Sequence, residues 1–136
     1  MDPKAAADAL FHTVNTHIRS NVNRTVAFVK TGQPQTQPNP FDPNNPLVLT
    51  PVPSAQSLHK RLSELGVNGD PQLLLALRDT LAEHLHGAFF NLFTTLDGEG
   101  AIYDKDDREV QLELRIRDGE PLPGYLHEIF KPADLS

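Results

Sequence analysis

Residues 70–98 read DPQLLLALRDTLAEHLHGAFFNLFTTLDG, and this stretch decides the fold class. Asp70-Pro71 is a helix start, with a side-chain acceptor at the N-cap and proline at the first helical position, where a missing N–H costs nothing. Leu74, Leu77, Leu81, Leu85, Phe89, Leu92 and Leu96 then recur at helical spacing, while Arg78, Asp79, Glu83 and His84 mark a more polar side. Gly87 interrupts the run, so a bend or a close helix crossing is expected there. Asp97-Gly98 ends it. A stripe this long is explained by core packing.

Downstream the period changes from about four to two. Val110, Leu112, Leu114 and Ile116 alternate with Gln111, Glu113, Arg115 and Arg117, which predicts a half-buried strand over 110–117. Ala101–Tyr103 is its expected hairpin partner across the turn Asp104-Lys105-Asp106-Asp107. Asp118-Gly119 forms a further turn. Two strands alone are marginal, so the ribbon should lie on helices or gain strands from Leu47–Leu49 or another chain. A last short helix opens at Pro121–Pro123, with Tyr125, Leu126, Ile129 and Phe130 as apolar contacts, and ends at Pro132. The class is α+β: mostly helical, with a small antiparallel hairpin or sheet near the C-terminus.

Upstream, Asp2-Pro3 repeats the helix-start signal, and Ala7, Leu10, Val14, Ile18, Val22, Val26 and Val29 predict a helix over 3–30. Its middle, residues 21–26, holds poor helix formers and is the place for a kink. If the apolar stripe packs away from the body, a second copy must cover it and a homodimer results. Residues 32–53 contain seven of the twelve prolines, which excludes helix and central strand. An extended strap pinned by Phe41 and Leu47–Leu49 is expected. Ser54 or Ser57 should cap a helix burying Leu58, Leu62 and Leu65, with Gly66 at its end. The organisation expected is a helix at 1–31, the strap at 32–53 and an α+β body at 54–136, forming one domain with the first helix.

The net charge of −6 is uneven, with +1 over residues 1–53 and −7 over 54–136. That balance argues against nucleic-acid binding, which needs a concentrated basic face. Cysteine is absent, so disulfides and thiolate chemistry are excluded. MDPKAAADALFHTV does not read as a secretory signal, and no run approaches a bilayer-spanning length. The expected location is cytoplasmic, with no membrane partner.

Motifs that carry chemistry are weak throughout. Asp97, Glu99, Asp104, Asp106, Asp107 and Glu109 put six carboxylates into thirteen residues, yet their spacing does not fit a calcium loop: Arg108 stands where a third ligand should be. A polar turn accounts for them. His84 and His86 lie about 200° apart on a helix, and His12 and His17 are five residues apart, so neither pair has zinc-ligand spacing. His127-Glu128 lacks the second histidine of a zinc-protease helix. No serine sits in a glycine-flanked elbow, and Gly98-Glu99-Gly100 lacks the rest of a dinucleotide fingerprint. No cofactor is implied.

Two readings follow. In the first, the chain is a small non-enzymatic domain, an adaptor or immunity-type protein, that binds another protein. Its contact surface is the charged strand face Gln111, Glu113, Arg115 and Arg117 with the acidic turn Asp104, Asp106 and Asp107. In the second, it is a small enzyme or metal/ligand-binding domain whose site assembles from His84, Asp97, Glu99 and His127, the polar residues bordering the apolar helices. No family is recognised in these residues.

Overall fold

A computed structural model describes residues 1–98 and 102–136. Among these the element order is α1 (Pro3–Thr31), β1 (Gln35–Gln37), β2 (Leu47–Leu49), α2 (Pro53–Glu64), α3 (Pro71–Leu96), β3 (Ile102–Tyr103), β4 (Glu109–Val110) and α4 (Leu126–Ile129). The strands form two separate two-stranded antiparallel sheets, β1–β2 and β3–β4. The α+β class, mostly helical, is thus observed. None of the helices is long and apolar enough to cross a membrane, among the described residues. The chain forms two compact units, Met1–Arg19 with Ala82–Ser136, and Ser20–Leu81.

Both long helices start as their caps dictate. The Asp2 carboxylate accepts from Ala5 N–H at 3.0 Å, and the Asp70 carboxylate accepts from Gln72 N–H at 3.0 Å. Helix α1 runs unbroken through 21–26, against the kink expected from propensity. Val22 is buried there, and packing of an apolar face outweighs a few tenths of a kcal/mol per residue in intrinsic preference. Helix α3 is also unbroken at Gly87, where an added Cβ would meet nothing within 4 Å, so no close crossing explains that glycine. Its buried residues are Leu74 and Phe93, whereas Leu92, expected in the stripe, is exposed.

In the first unit, three rings meet from three segments. Phe11 of α1, Phe93 of α3 and Phe130 just after α4 have centroid separations of 5.4, 5.4 and 5.0 Å, two of the pairs edge-on. Each such pair adds about 0.5–1.5 kcal/mol beyond area burial. The short sheet pairs Ile102 with Val110 and Tyr103 with Glu109. The strand expected over 110–117 ends at Val110, and Leu112 is 54% exposed rather than inward. Residues 114–122 instead form a second tight reversal: Leu122 N–H donates to Leu114 O, Ile116 N–H donates to Glu120 O, and Arg115 bridges Pro121. Glu120 and Leu122 take the hydrogen-bonding positions of this ladder, so Pro121, whose missing N–H would point away from it, is tolerated there.

In the second unit, Phe28, Val29, Ala55, Leu62 and Leu74 form the core, with Leu49 and Val67 against it. Helix α2 starts at Pro53 with Val52 as N-cap and no side-chain cap, so neither Ser54 nor Ser57 caps it; proline at the first position supplies the start instead. Its buried face is Ala55 and Leu62, seven residues apart, while Leu58 and Leu65 are exposed. Gly66, at φ +72°, ends it as expected: Gly66 N–H donates to Ser63 O and Val67 N–H to Leu62 O. The Pro-rich segment is an antiparallel hairpin, with Gln35 opposite Leu49 and Gln37 opposite Leu47. Leu47–Leu49 therefore pairs within its own segment and not with the C-terminal ribbon. Leu49 anchors the arm, but Phe41, expected as a second anchor, is 95% exposed.

Candidate functional site

Asp97 follows the last residue of α3, and its N–H continues the helical pattern by donating to Phe93 O at 2.8 Å. Gly98, at φ +82°, then turns the chain away. This geometry points the Asp97 carboxylate at the start of α4. One oxygen, Oδ2, accepts from His127 N–H at 2.9 Å and from His127 Nδ1–H at 2.5 Å. The Asp97 side chain is 1% exposed and that of His127 11%. A carboxylate is an acceptor only, so Nδ1 carries the proton in this pair. The imidazole stands edge-on to Phe90 at 5.7 Å.

Of the four residues expected to assemble a ligand site, the structure therefore brings together Asp97 and His127. His84 is exposed on α3 and makes no hydrogen bond or ion pair with any described residue. Glu99 lies outside the described residues. No group of three or more His, Asp or Glu side chains that could hold a metal occurs among the described residues. Two clefts of about 260 and 270 Å³ border Asp97, one along Thr95–Gly98 and Glu109–Leu112, the other beside Leu114 and Pro121–Gly124. Both are smaller than the usual ~300–1,000 Å³ of ligand pockets. The Asp97–His127 bond orients an imidazole as an acid–base pair does. Its two hydrogen bonds to one oxygen equally describe a clasp that fixes α4 to the end of α3.

The charged surface of the C-terminal ribbon is exposed as expected, and much of its charge is matched locally. Asp104 Oδ1 accepts from the Asp106 and Arg108 N–H groups at 2.8 and 2.9 Å, which shapes the turn. Arg108 pairs with Asp104 and Asp106, and Arg115 pairs with Glu113 while also donating to Gly119 O. Such exposed pairs contribute about 0–1 kcal/mol each. Gln111, Arg117 and Asp107 are exposed beside them, Asp107 at φ +58°.

Two features were missed by the sequence reading. His86 stacks on Phe130 at 4.5 Å with planes 15° apart, and its buried Nδ1 has no partner among the described residues. Burial lowers its pKa below the ordinary 6.5, so the neutral ring is favoured. His59 Nδ1–H donates to Val29 O at 2.7 Å, and its Nε2 lies 3.4 Å from Ser63 Oγ. That ring lies over Gly32, where an added Cβ would come within 2.5 Å of it. With Ser63 exposed one turn along the same helix, this arrangement caps the end of α1.

The tip of the 32–53 arm is a third unexpected feature. Asn39 Oδ1 accepts from Phe41 N–H at 2.9 Å, and Asn39 O accepts from Asp42 N–H at 3.3 Å. Asp42 Oδ1 accepts from Asn44 N–H at 3.2 Å, Asp42 O accepts from Asn45 N–H at 3.1 Å, and Asn39 Nδ2 donates to Asn45 O at 3.2 Å. Asparagine before a turn is the sequence signal that could have shown this. No protein-family model, curated protein or solved structure matches the chain.

Proposed function

We propose that the chain is a non-enzymatic protein-docking domain and that its contact element is the hairpin arm ending in Phe41. The observation that carries this is the exposure of Phe41, 95%, on a tip whose backbone is already fixed by five hydrogen bonds. An ordered loop loses little further entropy on binding, and a buried aromatic is the commonest kind of interface anchor. Val48, 62% exposed, and Leu47 extend the apolar surface along β2. Asp42 is the single charge in residues 32–53, in keeping with the charge-poor centres of interfaces. The partner is a second protein; the α1 stripe is buried by the chain's own residues, so a second copy is not needed to cover it.

The test is native mass spectrometry of the protein purified from its own host, for wild type, Phe41→Asp and Asp97→Asn. Phe41→Asp should lose the co-purifying protein by at least about thirtyfold, as hot-spot residues lose ~2 kcal/mol or more. Asp97→Asn should retain it. A partner kept by Phe41→Asp but lost on reversing Arg115 and Arg117 would move the interface to the C-terminal ribbon. A small molecule bound to wild type and lost in Asp97→Asn would favour the enzyme or ligand-binding reading.

A further inference from the structure

We propose that Asn68 is a site of spontaneous deamidation in the folded protein. The connection between α2 and α3 reads Val67-Asn68-Gly69-Asp70. In this reaction the backbone nitrogen of the following residue attacks the asparagine side chain, and glycine, without a Cβ, least obstructs the approach. The fold adds the decisive condition. Of the eight asparagines, Asn39 and Asn45 precede prolines, which have no N–H. Asn15, Asn21, Asn23 and Asn91 lie inside helices, where the next N–H belongs to the helical ladder. Asn44 precedes Asn45, whose N–H donates to Asp42 O. Asn68 alone is followed by an N–H, that of Gly69, with no hydrogen bond among the described residues.

The surroundings leave room for the step. Gly69 is exposed, and an added Cβ there would meet nothing within 4 Å. The Asn68 side chain is held by one hydrogen bond, Nδ2–H to Lys30 O at 3.0 Å, and the turn is closed by Asp70 N–H to Val67 O at 3.0 Å. Gly69 N gives its proton to a base in solution and attacks Asn68 Cγ. The N–Cγ bond forms, the Cγ–Nδ2 bond breaks, and Nδ2 leaves as ammonia. Water then opens the succinimide: cleavage at Cγ yields aspartate, and cleavage at the main-chain carbonyl yields isoaspartate. No electrons are exchanged. Either product removes the donor to Lys30 O and sets a carboxylate beside the negative end of α1, where the arm begins. The inference is independent of the docking role of that arm.

The experiment ages the full-length protein at mildly alkaline pH, well below its unfolding temperature, beside a urea-unfolded sample. Tryptic peptide 62–78 is then read by mass and by isoaspartyl methylation. The folded chain should accumulate isoaspartate in that peptide and in no other asparagine-bearing one. Gly69→Ala, which fits the backbone and the space, should slow this by about an order of magnitude. An Asn68 left intact by the incubation that converts the unfolded chain overturns the proposal, as does an unchanged rate in Gly69→Ala. Asn68→Asp, the product made directly, should melt a few degrees lower than wild type; equal melting would overturn the claimed loss of the cap.

Discussion

The aromatic end of α3 and the tip of the 32–53 arm use the same materials to opposite effect. Around Phe93, rings from three segments close on one another, and the Asp97 carboxylate turns inward to hold the N–H groups of His127. Around Phe41, the Asn39 and Asp42 side chains turn onto their own backbone, and the ring is left in water. In both places polar groups satisfy local N–H donors. What differs is whether that satisfaction draws an aromatic in or holds it out. A phenylalanine is thus no guide to the core until the hydrogen bonds of its neighbours are known.

The largest test of this contrast is a pair of truncations. Phe93→Ala should destabilise the protein by about 3–5 kcal/mol in urea titration, as for other buried aromatics. Phe41→Ala should stay within about 0.5 kcal/mol of wild type. A comparable loss in both would mean that the arm packs its tip after all. Next come the carboxylates. Asp97→Ala removes the buried carboxylate that two His127 donors bond and should cost about 3 kcal/mol, together with lost amide protection over 126–130. If that protection survives, the clasp does not hold α4.

The smallest effect is a pH dependence. His86 binds a proton less readily when folded, because its buried ring resists charge. The unfolded chain takes up the proton as pH falls through the ordinary value of 6.5, so stability drops there and levels off below the depressed folded value. Above 6.5 both states are neutral and the contribution is complete. His86→Phe keeps the stack on Phe130 and should flatten this part of the profile. An unchanged slope would assign it to another histidine.

Much of the scaffold was legible in the chain because caps and periodicity agree. Asp2-Pro3, Asp70-Pro71 and Gly66 each mark the helix end they occupy. The 110–117 strand is shorter than its alternation predicts because alternation describes side chains only, while a strand also needs an opposing segment: residues 109–110 pair with 102–103, and residues 114–116 pair instead with 120–122. Asp97 and His127 could be named as polar residues flanking apolar runs, but their meeting depends on chain reversals that no spacing encodes. Phe41 reads as an anchor in the sequence because apolar side chains are usually buried. The asparagine two positions before it, which organises the turn, carried the contrary information.

Gly32 and the β1–β2 pairing together give the arm a fixed base and a replaceable end. At the base, the His59 ring leaves no volume for any residue larger than glycine, and Gln35 stands opposite Leu49. Beyond that point the hydrogen bonds of the tip run within residues 39–45, and lengthening a loop between paired strands costs only about 0.6 kcal/mol for each doubling. Residues 38–46 can therefore vary in length and sequence over generations without refolding the helices beneath. The domain has the layout of a holder and its cartridge, in which the tip can be rewritten while the frame is inherited intact.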